Sequence, residues 1–242
     1  MPNQEANPIA FQGDAKARRV QQMFSDIAPT YDALNHTLSL NIDKRWRKFT
    51  VNKLRASLER PDAVALDICC GTADLSLELG SVTRTVGLDF CHPMLVRGLE
   101  KVKKAGRPVS LLVGDALNLP FPDATFDVVT VAFGIRNVVD LDGAIREMRR
   151  VLKPGGQAGI LEFSHPVIPG LRQAFGFYFN QILPRIGNLV SGSGYAYNYL
   201  PESVQNFPDQ KKLAQKMKTA GFGEVNYFNL SGGIAALHVG RK

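Results

Sequence analysis

Val64-Ala-Leu-Asp-Ile-Cys-Cys-Gly-Thr-Ala-Asp74 reads as a buried strand running into a tight turn and then a helix. Val64, Leu66 and Ile68 make the β-favouring run, Asp67 closes it with a carboxylate, and Gly71 lets the backbone bend or a ligand approach without a Cβ in the way. A strand-turn-helix corner of any α/β domain would look the same. The context narrows the reading. Thr85-Val-Gly-Leu-Asp89 forms a second strand ending in an acid 22 residues after Asp67, the separation at which a βαβ unit offers a carboxylate to ribose hydroxyls. The turn is therefore expected to cradle a nucleoside-containing ligand.

Downstream, strands and helices alternate. Pro93 to Lys104 predicts a helix with Met94, Leu95, Leu99 and Val102 inward and Lys101, Lys103 and Lys104 at its negative end. Ser110 to Val113 is a short strand leading to Gly114-Asp115-Ala116, and Phe126 to Ala132 is a central strand followed by Phe133-Gly-Ile-Arg-Asn137. Leu141 to Leu152 is an amphipathic helix stopped by Lys153-Pro-Gly-Gly156, and Ala158 to Phe163 is the next strand. Pro208 to Ala220 is a helix with Gly221 just beyond it; Glu224 to Leu230 and Ala235 to Val239 are close enough to pair antiparallel. The pattern predicts an α/β fold with a mainly parallel sheet covered on both faces, its ligands at the carboxyl ends of the strands.

The flanks break this rhythm. Lys16 to Phe24 has the spacing of a docking helix, and Pro29 interrupts it, leaving Tyr31 on irregular backbone in either a linker or a lid. Ile42 to Leu58 is a basic amphipathic helix, read first as a solvated face over a core and second as a surface for phospholipid headgroups. Ser164 to Phe207, rich in aromatics and almost free of charge between Arg185 and Glu202, looks like an inserted cap offering an apolar wall to a bulky substrate.

The chain has 242 residues, 45% of them hydrophobic, which suits one buried α/β domain. Residues 1–15 are expected to form a flexible tail, 16–60 a helical lid and 164–207 the cap. No secretory pattern or membrane-spanning run is visible, so the expected location is cytoplasmic. The formal charge of +7 would suit an anionic membrane or nucleic acid without deciding between them. Cys69, Cys70 and Cys91, an odd set with two adjacent, read as reduced core thiols.

Taken together, Leu-Asp-Ile-Cys-Cys-Gly-Thr-Ala-Asp74, Gly-Leu-Asp89, Gly-Asp115-Ala116 and Val-Leu-Lys-Pro-Gly-Gly156 resemble the seven-stranded, Rossmann-like class I S-adenosylmethionine-dependent methyltransferases. More specific are Phe24-Ser-Asp-Ile-Ala-Pro-Thr-Tyr31-Asp-Ala-Leu-Asn35, Phe133-Gly-Ile-Arg-Asn137, Leu161-Glu-Phe-Ser164, Leu183-Pro-Arg-Ile-Gly187 and Tyr199-Leu-Pro-Glu-Ser203. With these the chain resembles the ubiquinone and menaquinone biosynthesis C-methyltransferases from about Lys16 to its C-terminus.

That resemblance implies methyl transfer from S-adenosylmethionine, without a metal, to a ring carbon of a reduced polyprenylated quinol. Conversion of demethylmenaquinol to menaquinol is the nearest match, and the benzoquinol step of ubiquinone synthesis is the alternative. It further implies that Gly71 and Thr72 hold the methionine end of the cofactor, with Asp67 supporting the turn. Asp89 would grip the ribose, Asp115 and the amide of Ala116 would flank the adenine, and Ala132 would line the site. Cys69 and Ala73 depart from the family pattern, standing where the turn usually has its first and third glycines.

For the chemistry, Arg136 and Asn137 are the expected catalytic pair, with the guanidinium favouring a phenolate; a structural ion pair is the competing reading of Arg136. Tyr31 follows as a contact from the lid. His165 has the titration range of a base but is not kept in the family. The expected partners are the quinol and, transiently, the inner face of the cytoplasmic membrane, with a homodimer allowed and no nucleic acid. Rivals are a nicotinamide oxidoreductase, which lacks its three glycines here, a non-catalytic quinone carrier, and an RNA methyltransferase suggested by the basic helix.

Overall fold

A computed structural model describes residues 15–183 and 196–242. Residues 1–14, the part of the Leu183-to-Gly187 motif after Leu183, and Tyr195 lie outside the described residues, as does the side chain of Tyr197.

In chain order the elements are α1 (Ala15–Ile27), α2 (Tyr31–Leu38), α3 (Ile42–Leu58), β1 (Val64–Ile68), α4 (Asp74–Leu79), β2 (Arg84–Asp89) and α5 (His92–Ala105). There follow β3 (Val109–Val113), β4 (Phe126–Ala132), α6 (Leu141–Val151), β5 (Leu152–Phe163), α7 (Pro169–Phe177), α8 (Ala196–Gln205), α9 (Gln210–Thr219), β6 (Gly223–Leu230) and β7 (Ala235–Arg241). The sheet has seven strands in the order β3-β2-β1-β4-β5-β7-β6. The first five are mutually parallel, and β7 runs antiparallel between β5 and β6. This is the class I methyltransferase topology.

The strand side chains alternate between two covered faces. On one, Leu66, Ile68, Val129 and Ile160 pack under Ile145 and Met148 of α6 and Leu213 and Met217 of α9. On the other, Ala65, Val128 and Leu161 pack under Trp46, Val51, Leu54 and Leu58 of α3, which is thus a core helix with a solvated basic side. Each such fully buried aliphatic contributes about 1.5–3 kcal/mol.

Three expectations change. Tyr31 opens α2 rather than sitting on irregular backbone, because Pro29 separates two helices instead of ending one. In α5 the inward face is Met94, Leu95, Gly98 and Val102; Leu99, one position further round, is 44% exposed. Lys153 to Gly156 does not end a helix before a new strand but loops out within β5, where pairing with β4 jumps from Phe126–Leu152 to Val128–Gln157.

A third hydrophobic cluster lies outside the sheet. Met23 and Ile27 of α1 and Leu34 of α2 meet Phe179, Leu183 and Val204 from the cap. The first two helices and the segment after β5, distant in sequence, thus pack against one another.

Candidate functional site

The turn after β1 is wound through three left-handed residues, Cys69 (φ 51°), Gly71 (φ 55°) and Ala73 (φ 67°). Only one is glycine, so the backbone carries roughly 1–2 kcal/mol of strain at each of the other two. Cys69 also dictates its neighbour: a Cβ at Gly134 would stand 2.4 Å from that of Cys69. The turn is tied to β2 by Cys70 N donating to Leu88 O (3.1 Å) and Gly71 N donating to Asp89 Oδ2 (2.8 Å).

Asp89 accepts a second amide, from Cys91, at 2.8 Å, and burial pushes its carboxyl up to about 6 against these bonds. Asp67 is deeper, accepting from Ser76 Oγ (2.7 Å) and Thr130 Oγ1 (2.9 Å), with burial pushing it up to about 7. Asp115 accepts from Leu117 N at 2.9 Å. Burial, then the charge of Asp89, holds the Cys69 and Cys70 thiols well above their usual value, so neither supplies a thiolate.

These residues line a cavity of about 440 Å³ at the strand ends. Asp67, Gly71, Thr72, Asp89, Asp115, Ala116 and Ala132 are all on its wall, as are Tyr31 and Asn137. Cys69 and Cys70 line it too, and only Cys91 is a core thiol. The cavity accommodates a nucleoside-bearing cofactor: it places an acid at the ends of β1 and β2 and just past β3, and an open glycine at its turn, where a Cβ on Gly71 would meet nothing closer than Met94 Cε at 4.0 Å.

Arg136 sits elsewhere. It lines an adjoining annex of about 70 Å³ with Asn35, Phe163, Tyr199 and Leu200. Phe24, Tyr31, Arg47 and Phe133 border both spaces and form the doorway between them. Arg136 Nη1 bonds Glu162 Oε1 at 2.9 Å and the carbonyl of Phe133, Nε lies 3.3 Å from Ser203 Oγ, and the guanidinium lies over the Phe163 ring. Burial raises the Glu162 carboxyl and the Arg136 charge opposes it. Burial also pushes the Tyr31 hydroxyl up to about 12, despite the opposing charges of Arg136 and Arg47, so it remains a donor. His165 lies on neither wall; its carbonyl accepts from Gln210 Nε2.

Sequence reasoning missed the strap that holds the lid down. Lys101 of α5, expected only to serve its own helix end, bonds Asp32 (2.9 Å), Asp74 and Thr72 Oγ1 (3.2 Å), and Thr72 Oγ1 donates to Asp32 at 2.5 Å. Arg47 of α3 pairs with Asp43 and lies 3.6 Å from Asp74; His36 Nδ1 is 2.8 Å from Asp43. Alternating charges from α2, α3, α4 and α5 thus meet over the cofactor turn. One signal was present: Asp43 is the lone acid of α3 and stands four residues before Arg47, the spacing of a helical ion pair.

The model of the ubiE/COQ5 methyltransferase family matches residues 12–242. A Listeria welshimeri protein named demethylmenaquinone methyltransferase is 43% identical over 234 residues, covering 95% of this chain and 98% of that protein. A Bacillus subtilis protein of the same name is 43% identical over 95% of this chain and 99% of its own length. At the level of fold alone, the crystal structure of a SAM-dependent methyltransferase from Thermotoga maritima superposes with a TM-score of 0.62 at 20% identity, covering 91% of this chain and 99% of that one. The chain belongs to the ubiE/COQ5 methyltransferase family.

Proposed function

We propose that the chain is an S-adenosylmethionine-dependent demethylmenaquinone C-methyltransferase, acting on the quinol form in menaquinone biosynthesis. The observation that carries the reading is the 43% identity to proteins of that name along 95% of the chain. The paired spaces support it, one with the carboxylates of Asp67, Asp89 and Asp115 on its wall, the other with Phe163, Tyr199 and Leu200 beside Arg136, and with Phe24, Tyr31, Arg47 and Phe133 bordering both.

Bound S-adenosylmethionine supplies an electrophilic sulfonium methyl. In this reading Asp89 accepts the ribose hydroxyls, Asp115 and the Ala116 amide flank the adenine, and Gly71 and Thr72 hold the methionine end, all of them on the cavity wall. Phe24 and Tyr31 exclude water from above. Tyr31 keeps its proton and donates to a quinol oxygen at the doorway, while Arg47 and Arg136 add positive charge that favours the phenolate and hence electron density at the ring carbon. Asn137 Oδ1, buried and without a hydrogen-bond partner among the described residues, is an acceptor on a residue of the cavity wall. Alignment of ring and methyl supplies much of the acceleration; well-oriented reactants gain about 7–11 kcal/mol in favourable cases.

No helix among the described residues is long and apolar enough to cross a membrane. Exposed Leu40 stands just before exposed Lys44, Arg45 and Lys48, and Val167, Ile168 and Phe177 are exposed around α7, a combination suited to collecting the lipid at an anionic membrane surface.

The test is incubation with methyl-labelled S-adenosylmethionine and either reduced demethylmenaquinone or its benzoquinol counterpart, with products identified by mass and retention. Label on the naphthoquinol ring is expected. Preference for the benzoquinol would move the reaction to ubiquinone synthesis, and label on neither would overturn the reading.

A further inference from the structure

Tyr31 and Asn35 lie four residues apart on one face of α2, and both line the annex. The side-chain amide nitrogen of Asn35 differs from the other polar groups on that wall. Ser39 Oγ donates to Asp43 at 2.6 Å, Asp43 is met by Arg47 and His36, and Arg136 is engaged by Glu162, Phe133 and Ser203. Asn35 Nδ2, by contrast, is buried without a hydrogen-bond partner among the described residues. A buried donor left unmade costs a folded protein free energy that an apolar side chain of the same shape would not. An unmet donor on the wall of a hollow is what a ligand acceptor would satisfy.

Its position suggests which acceptor. Four residues rise about 6 Å along the helix axis, of the same order as the distance between oxygens at opposite ends of a hydroquinone ring. Tyr31 is at the doorway and Asn35 belongs to the annex alone. Resting on the function proposed above, we infer that Asn35 is a substrate-positioning residue whose Nδ2 donates to the quinol oxygen remote from the methylated carbon. The site thereby selects para-dihydroxy rings over mono-hydroxy ones.

A double comparison tests this. Wild type and Asn35→Leu are given demethylmenaquinol and an analogue with hydrogen in place of the remote hydroxyl. Binding is read without turnover, in S-adenosylhomocysteine, by quenching of Trp46, the sole tryptophan, whose ring packs against Phe133 and Phe163 of the annex wall. Wild type should prefer the full quinol about tenfold and Asn35→Leu should show no preference, with KM raised more than kcat is lowered. Cofactor affinity should be unchanged and the unliganded variant at least as thermostable as wild type. Equal preference in both proteins would overturn the assignment, as would loss of stability in the unliganded variant. Should Asn35→Leu not fold, Asn35→Ala gives the same comparison. If wild type neither binds nor methylates demethylmenaquinol, the functional reading fails; if it does both and the preference persists in the variant, only Asn35 is misassigned.

Discussion

The cofactor cavity and the annex share a doorway but are assembled in opposite ways. The cavity takes most of its wall from short runs that follow successive strands, Cys69 to Thr72, Leu88 to Phe90, Gly114 to Leu117 and Ala132 to Gly134. The annex has no such run. Met23, Asn35, Arg47, Phe133, Arg136, Phe163 and Tyr199 reach it from lid, sheet edge and cap. The cavity is thus set by local backbone geometry and the annex by long-range pairing, and the two should respond differently to substitution.

The harshest way to break the contrast is at Arg136. Removing one partner of a buried ion pair leaves the other charge stranded, so Arg136→Met should cost about 3–5 kcal/mol in denaturant unfolding, and Arg136→Met/Glu162→Leu should recover most of it. If Arg136→Met unfolds like wild type while turnover collapses, Arg136 serves the chemistry without anchoring the annex, and the contrast fails.

Next comes Asp89. Asp89→Ala frees two backbone amides, Gly71 and Cys91, and should cost about 1–3 kcal/mol of stability with a loss of roughly 10- to 100-fold in cofactor affinity by calorimetry. Its pH dependence follows in sign. The folded carboxyl titrates at about 6 and the ribose hydroxyls favour the carboxylate, so wild-type affinity should hold above pH 7 and fall as pH drops through 6.

Lys101→Met cuts the strap at a partly exposed pair, so its effect should be under about 1 kcal/mol and weaken further at high salt. Because the strap closes the lid over the turn, cofactor affinity should fall by less than tenfold. The smallest change sharpens the comparison: Cys69→Gly replaces a side chain at φ 51°, and should leave the annex untouched while shifting stability by no more than about 1 kcal/mol.

The same contrast explains what the sequence disclosed. Strand ends, Asp89 and Asp115 were legible because alternation, glycine and a carboxylate at a strand terminus are local signals. Cys69 and Ala73 were legible as departures from a pattern, though not that they would stand in left-handed backbone. Arg47, Lys101 and Glu162 were hidden for another reason. On a helix rich in basic residues only the lone acid Asp43, four residues before it, marks Arg47 as the one turned inward, and Lys101 is drawn in by Asp32, 69 residues away in the chain. Asn35 lies within a motif legible in the sequence, but an unmet donor becomes visible only in the folded structure.

The most direct test is a crystal structure of the chain with S-adenosylhomocysteine and unprenylated demethylnaphthoquinol. The account predicts the cofactor product in the cavity against Asp89 and Asp115, and the ring across the doorway of Phe24, Tyr31, Arg47 and Phe133, in the annex. A ring bound elsewhere, such as the groove beside Ser203 and Phe207, with the annex closed, would contradict it.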